Sequence, residues 1–263
     1  MAADSNKIRI NKYLADKGLA TRRGADALIE AGKVFVNGTQ AVLGQKVGIE
    51  DKVEVKGGEP QTYRYMAYNK PAGYVTHSPV EGEKTIADVF NMNGLFPVGR
   101  LDKNSEGLII LTNDGRITDR LLNPKYEHEK EYAVEISTTV SPSFARKLES
   151  GVDIGTSRSP SPPARGGVSV LTDGVVGAKE KSKKILTKPC RVTLLDPHHF
   201  TIALTEGKKH QIKRMTEALG VSVVSLKRLR VMNIKLGNLK PNTGRDITDK
   251  ELQTFLKSLE LMS

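Results

Sequence analysis

Gly99-Arg100-Leu101-Asp102-Lys103-Asn104-Ser105-Glu106-Gly107-Leu108-Ile109-Ile110-Leu111-Thr112-Asn113-Asp114-Gly115 is the stretch on which the reading of this chain turns. It opens as a polar loop that starts at a glycine and carries Asp102. It then runs through the apolar residues Leu108–Leu111, which read as a strand, and closes in a second polar segment. A carboxylate on a loop fixed by a rigid sheet is a common setting for a functional group. A lone aspartate in a loop more often only makes a turn, so the loop by itself does not decide its role. Glu106 opens another reading, a pair of carboxylates of the kind glycoside hydrolases use. Against it, the chain has no tryptophan and no aromatic cluster of the sugar-binding kind.

Upstream, residues 8–56 read as a compact unit. Ile10, Tyr13 and Leu14 recur at helical spacing, with Gly18 as a stop. Thr21 is placed to cap a second helix bearing Ala25, Leu28 and Ile29 on one face, with Gly32 beyond its end. Val34-Phe35-Val36 reads as a strand. Asn37-Gly38 is a two-residue hairpin turn, because both central positions require positive φ. Val53 and Val55 alternate with Glu54 and Lys56, as in a strand with one exposed face. Gly57-Gly58-Glu59-Pro60 separates this unit from the rest. The expected division is therefore 7–57 and 64–263.

The second region mixes strands and helices. Strands are expected at Tyr65–Tyr68, Leu108–Leu111, Tyr132–Ile136, Arg191–Leu195 and Phe200–Leu204. Helices are expected near Ile86–Phe90, Ile117–Leu122, Ser143–Ser150, Gln211–Leu219 and Asp249–Leu259. The elements do not alternate strictly and several neighbours look antiparallel, so the expected class is α+β with a mixed, mainly antiparallel sheet. Residues 155–189 are rich in Ser, Pro, Gly and Lys and read as a long flexible insertion.

The 263 residues are 38% hydrophobic and 27% charged, compatible with a folded globular protein. No apolar run approaches the roughly 20 residues of a membrane span, and Met1–Lys7 lacks the apolar core of a signal peptide. The single cysteine, Cys190, suits a reducing cytoplasm. Nothing in the sequence points to an obligate protein partner, and a monomer is the default expectation. Lys plus Arg exceed Asp plus Glu by 41 to 30, a net charge of +11, which favours nucleic acid as the partner. From Gly207 to Arg230, Lys208, Lys209, Lys213, Arg214, Lys227, Arg228 and Arg230 stand against one acid, Glu217. One acid cannot pair seven bases, so this segment is expected to form a phosphate-binding face. Arg22 and Arg23, with Lys12, make a second anchor on the N-terminal unit.

The Gly99–Gly115 stretch resembles the catalytic motif of the RsuA-like pseudouridine synthases, whose core is Gly-Arg-Leu-Asp followed by Ser-x-Gly-Leu and Leu-Thr-Asn-Asp-Gly. Asn69-Lys70-Pro71-Ala72-Gly73 resembles the family's Asn-Lys-Pro-x-Gly element. Lys130-Glu131-Tyr132 resembles its Lys-x-Tyr element. Glu206-Gly207-Lys208-Lys209-His210-Gln211-Ile212-Lys213-Arg214-Met215 resembles the element that ends in a basic pair and Met. The N-terminal unit is similar to the alpha-L RNA-binding module of some ribosomal proteins. Through Ile10-Asn11-Lys12-Tyr13 and Arg230-Val231-Met232-Asn233 the likeness leans toward an enzyme of large-subunit ribosomal RNA.

The resemblance implies an isomerase that converts uridine to pseudouridine in ribosomal RNA, with tRNA left open as a second substrate. It implies Asp102 as the essential carboxylate, Lys213 as the cation that keeps it ionised, and Tyr132 as the ring that packs on a flipped base. Arg100 would fill the gap the base leaves. Lys208, Lys209, His210, Gln211 and Arg214 join the expected RNA-binding set. No cofactor is expected, because the reaction needs no redox step or energy input, and no metal site is expected, because the sequence carries no metal-ligand cluster. The competing reading is an RNA-binding ribosome-assembly factor whose enzymatic site is idle; the intact Asp102, Tyr132 and Lys213 set argues against it.

Overall fold

The computed structural model describes residues 7–57, 62–155 and 184–262. It divides into two compact units, Met1–Lys130 with Lys227–Ser263, and Glu131–Leu226. That division differs from the one expected at residues 57–64 in that Lys227–Ser263 joins Met1–Lys130, where Gly244–Asp246 pairs with residues 66–68.

The first unit begins with β1 (Ile8–Arg9), α1 (Ile10–Asp16) and α2 (Arg22–Glu30), followed by β2 (Val34–Val36), β3 (Thr39–Gln40), β4 (Lys46–Val47) and β5 (Val53–Val55). The Thr21 hydroxyl accepts a hydrogen bond from the Gly24 amide at 3.0 Å and starts α2 as a cap should. Asn37 and Gly38 take φ of 52° and 82°, and the turn joins β2 to β3 as a hairpin. β5 pairs antiparallel on the other edge of β2. Ile10, Leu14, Ala25, Ile29, Val34 and Val47 close a small core of this segment's own. The β1–β4 pair, Ile8 opposite Val47, is too short for any periodicity to announce.

Next come β6 (Tyr65–Lys70), β7 (Phe96–Val98), β8 (Glu106–Thr112) and α3 (Arg116–Leu122). The helix expected at Ile86–Phe90 is a single 3-10 turn, Ile86–Asp88, closed by a capping box between Thr85 and Asp88. β8 is antiparallel to β6, from Tyr65 opposite Thr112 to Lys70 opposite Gly107, and antiparallel to β7. Leu108, Ile109, Ile110 and Leu111 are all buried, so the strand is covered on both faces. Each such side chain contributes about 1.5–3 kcal/mol by leaving water.

The second unit contains all of β9 (Lys130–Ile136) but its first residue, with α4 (Pro142–Glu149), β10 (Arg191–Leu194), β11 (His199–Leu204) and α5 (Gln211–Ala218). β10 and β11 form an antiparallel hairpin, and β9 lies beside β11. Phe144 and Leu148 of α4, Phe200 and Ile202 of β11, and Ile212 and Met215 of α5 fill one core. Part of the segment expected as an insertion, 155–189, belongs to the fold. The Ile154 amide donates to the Ile185 carbonyl and the Thr187 amide to the Val152 carbonyl, at 2.9 and 3.0 Å. Thr187 is buried. Residues 184–189 are thus part of the fold, and the rest of that segment, 156–183, lies outside the described residues.

β12 (Val223–Val231) starts in the second unit and ends in the first. Its second half is parallel to β8, Lys227 opposite Glu106 and Arg228 opposite Gly107. β13 (Ile234–Lys235) pairs with β12 and β14 (Gly244–Asp246) with β6; α6 (Asp249–Ser258) packs Phe255 and Leu256 on the core under β6 and β8. The fold is α+β and its sheets are mainly antiparallel, as the sequence implies. Gly107 is obligatory here. At φ +108°, a Cβ would lie 2.4 Å from the Arg228 carbonyl oxygen and 2.6 Å from its nitrogen.

Candidate active site

Asp102 lies in the first unit, in the connection from β7 to β8, and is half-buried. One segment, residues 69–76, holds its loop. Lys70, at the end of β6, has no exposed surface. Its ammonium donates to the carbonyls of Pro71 at 2.9 Å, Lys103 at 3.3 Å and Ser105 at 2.7 Å. The Gly73 amide also donates to the Lys103 carbonyl, at 2.8 Å. The Thr76 hydroxyl donates to the Leu101 carbonyl at 2.9 Å and accepts from the Leu101 amide at 3.1 Å. The Ser105 amide closes the turn on the Asp102 carbonyl at 3.0 Å, and Lys103 pairs with Glu83 at 3.1 Å. Asn69, one residue earlier, donates to the Leu239 carbonyl at 2.7 Å and ties β6 to the segment before β14.

The electrostatics follow from burial. Burial pulls the Lys70 amine down to about 8, while the charges of Asp102 and Glu106 pull it back up and Arg228 adds to the depression. Lys70 is therefore a cation beside Asp102 that the sequence reading did not assign. Lys130 is also brought down to about 8, by burial and then by Arg228. Its amine donates to the His128 carbonyl at 3.2 Å. His77 is lowered by burial and by the neighbouring Arg100, which is itself exposed.

The Leu111-Thr112-Asn113-Asp114-Gly115 part of the motif is a clasp and not a reacting group. Thr112 donates to the Arg64 carbonyl at 2.6 Å, and the Arg64 amide donates to Asn113 at 2.8 Å. Buried Asp114 accepts from the Tyr65 hydroxyl at 2.5 Å and from Arg116 through two bonds of 2.8 and 2.9 Å. The arrangement pins the end of β8 to the start of β6, and so fixes the strand at whose other end Asp102 stands.

In the second unit, Tyr132 is half-buried on β9 and packs on the core that Ile212 and Met215 of α5 help to fill. Lys213 stands on α5, half-buried. The neighbouring motif residues build the helix's first turn. Buried Gln211 donates to Glu206 at 2.8 Å and accepts from the Lys208 amide at 2.8 Å, and Lys208 pairs with Glu206. Burial pushes the Glu206 carboxyl up, but Lys208, the Lys188 amide and Gln211 outweigh it and hold the group below its ordinary value. His210 precedes the helix at φ +53°.

The expected phosphate-binding face at 207–230 needs correction. Arg228 is buried, with Nε donating to the Leu108 carbonyl at 2.6 Å. Gln211 is buried as well. Arg214 donates to the carbonyls of Ile154 and Gly155 at 2.7 and 2.6 Å. Lys227 pairs with Glu106 at 3.2 Å, and Arg230 pairs with Glu129 and donates to the Met232 carbonyl at 2.7 Å. Acids at residues 106, 129 and 206 pair with three of the seven bases, and counting within the segment missed them. Lys209 remains exposed and His210 half-buried. Arg22 is exposed on α2, and exposed Lys12 faces Asp16 at 3.4 Å. The Arg23 side chain lies outside the described residues.

Lys70, Thr76, Glu83 and Lys130 were not among the expected site residues. Lys70 and Lys130 at least stood in quoted motifs, whereas the bond from Thr76 to Leu101 spans 25 residues and leaves no local pattern. Among the described residues, no group of three His, Cys, Asp or Glu side chains could hold a metal ion, and no helix is long and apolar enough to cross a membrane.

The pattern of the RNA pseudouridylate synthase family matches residues 64–218, and that of the S4 domain matches residues 8–53. The chain belongs to the RNA pseudouridylate synthase family. It is 36% identical to the dual-specificity RNA pseudouridine synthase RluF of Escherichia coli over 266 residues, which cover 99% of this chain and 82% of that one. It is 32% identical to ribosomal large subunit pseudouridine synthase B of Bacillus subtilis, over 93% of this chain and 94% of the other. Among solved structures, it is similar to a crystal structure of pseudouridylate synthase with a TM-score of 0.62 and 26% identity, covering 96% of this chain and 99% of that chain. This pseudouridine synthase is an enzyme that isomerises uridine to pseudouridine in RNA, and its N-terminal S4 domain binds RNA, in line with the resemblance drawn from the motifs. The idle-factor alternative is not favoured.

Proposed function

We propose that Asp102 is the essential carboxylate and that large-subunit ribosomal RNA is the substrate, with a second RNA as a further target. The observation that carries the first part is the clamp on the Asp102 loop. A carboxylate whose flanking backbone is fixed on both sides, near the buried Lys70 ammonium, is oriented before substrate arrives. The reaction breaks the bond from C1′ to N1 of uracil and makes the bond from C1′ to C5; the C5 proton leaves and N1 gains one. An ionised carboxylate serves this either by attacking C1′ or by removing the 2′ proton. The uridine must first leave the stack. The family resemblance gives Tyr132 the role of packing on the extruded base and Arg100 that of filling the gap it leaves. Support for the substrate is the likeness to a synthase named for the large ribosomal subunit and to one named dual-specificity. We further propose that the enzyme acts as a monomer in the cytoplasm, in keeping with its single cysteine.

Ribosomal RNA carrying 5-tritiated uridine tests the chemistry. Wild type releases tritium, and Asp102→Asn releases none while its RNA affinity changes by less than about tenfold, 1.4 kcal/mol. Release by Asp102→Asn at the wild-type rate would refute the assignment. Mapping pseudouridines in ribosomal and transfer RNA from cells with and without the gene identifies the substrate; loss confined to small-subunit RNA would overturn that part.

A further inference from the structure

We propose that Thr76 is a positioning residue for catalysis: its one hydroxyl sets the backbone of Leu101 and thereby the direction of the Asp102 carboxylate. The proposal rests on the reading of Asp102 as the reacting carboxylate.

The β7–β8 ladder runs only as far as Val98 opposite Ile110, so the loop that follows cannot rely on sheet pairing. Leu101 is nonetheless buried, and its amide and carbonyl both need partners. Thr76 serves both, donating to the carbonyl at 2.9 Å and accepting from the amide at 3.1 Å. A hydroxyl is suited to this, since it carries one donor and two acceptor sites on one atom. Thr76 is itself buried and does not move freely. Its neighbour Val75 is bridged to the segment at Thr85: the Val75 amide donates to Lys84 and the Ile86 amide to Val75, each at 3.0 Å. Thr85 is in turn locked by Asp88, which accepts from its amide at 2.6 Å and its hydroxyl at 2.8 Å.

A continuous path therefore runs from a capped 3-10 turn, through Val75 and the Thr76 hydroxyl, to the residue before Asp102. On the other side of Asp102, Lys103 is held by Lys70 and Gly73. Lys70 and Gly73 could be replaced in part by one another, because both reach the same carbonyl. Among the described residues, Thr76 has no such double at Leu101. Loss of its hydroxyl frees the backbone on one side of the carboxylate only, which turns the group without emptying the RNA site.

The test compares Thr76→Val, which keeps shape and removes both bonds, with Thr76→Ser, which keeps them, and with Asp102→Asn. Single-turnover rate, RNA Kd and thermal midpoint are measured for each. Thr76→Val is expected to lower the single-turnover rate about 10- to 100-fold, as a small misplacement of a reacting group does. Its RNA Kd stays within about twofold, and Thr76→Ser runs near the wild-type rate. A Thr76→Val enzyme at the wild-type rate, Val and Ser variants equally slow, or a rate loss matched by an equal affinity loss would each overturn the proposal. Should Thr76→Val not fold, Thr76→Cys carries the same comparison with a weaker hydrogen-bonding group. Turnover by Asp102→Asn would sink the Asp102 reading and this proposal with it. A dead Asp102→Asn beside a fully active Thr76→Val overturns this proposal alone.

Discussion

Lys70 has no exposed surface, yet its amine is the hub of three backbone carbonyls, two of them in the loop of Asp102. Its burial has a measurable signature. An unfolded lysine titrates near 10.4, whereas the folded one is held at about 8. Between those values the unfolded chain binds more protons, so this group makes stability rise with pH, and below pH 8 its full penalty is present. The difference in unfolding free energy between wild type and Lys70→Met should therefore grow in favour of wild type from pH 8 toward 10, by at most roughly 1.4 kcal/mol per pH unit. Urea unfolding at three pH values measures it, and a flat difference would mean that the amine is not held at a depressed pKa. At this scale the sequence was only partly legible. The Asn69–Gly73 motif could be quoted, but that its lysine points inward under Asp102 depends on the register of β6 against β8. Arg228 shows the converse: an arginine that looks like a surface charge is buried because β12 enters the sheet beside Gly107.

Among the elements, β8 decides most. Its four consecutive apolar residues were legible as a strand, and burial on both faces is the reason they do not alternate. Its parallel neighbour was not legible, because β12 lies more than a hundred residues downstream and carries a mixed sequence. Their contact makes a sharp demand on Gly107. Gly107→Ala is expected to destabilise the protein by roughly 3 kcal/mol or more, since it combines a strained positive φ with a Cβ driven into the Arg228 backbone. A thermal midpoint within two or three degrees of wild type would show that the two strands can separate at that point. In α5, the helix expected at Gln211–Leu219 is present over Gln211–Ala218. Helical spacing could not show that Gln211 and Arg214 turn toward Glu206 and the Ile154 carbonyl.

For the whole molecule, the net charge of +11 remains the leading long-range term in binding RNA. Its distribution differs from the one read along the chain. Lys208, Arg214, Lys227, Arg228 and Arg230 are engaged with groups of the protein itself, while Arg22, Lys209 and Arg100 are exposed. Affinity should fall with salt, and Arg22→Ala or Lys209→Ala should each reduce the slope of log K against log salt by about 0.7–0.9. Arg228→Met should leave that slope unchanged and lower stability instead. Binding titrations at several salt concentrations decide it: an unchanged slope in both surface variants, or a reduced slope in folded Arg228→Met, would reject this division of the charges.

Motif chemistry, helix and strand periodicity, caps and turns are local, and the sequence by itself determined the reaction class, the α+β class, the N-terminal helices and hairpin, and Asp102 as the carboxylate to examine. Long-range pairing belongs to the tertiary structure. It alone decided that β8 and β12 run side by side, that Lys70 and Thr76 hold the Asp102 loop, and that Glu106 and Glu129 pair with Lys227 and Arg230. The physical reason is common to all three: each depends on residues far apart in the chain becoming neighbours in space, and a bond between positions 25 or 120 residues apart leaves no periodic trace in the chain.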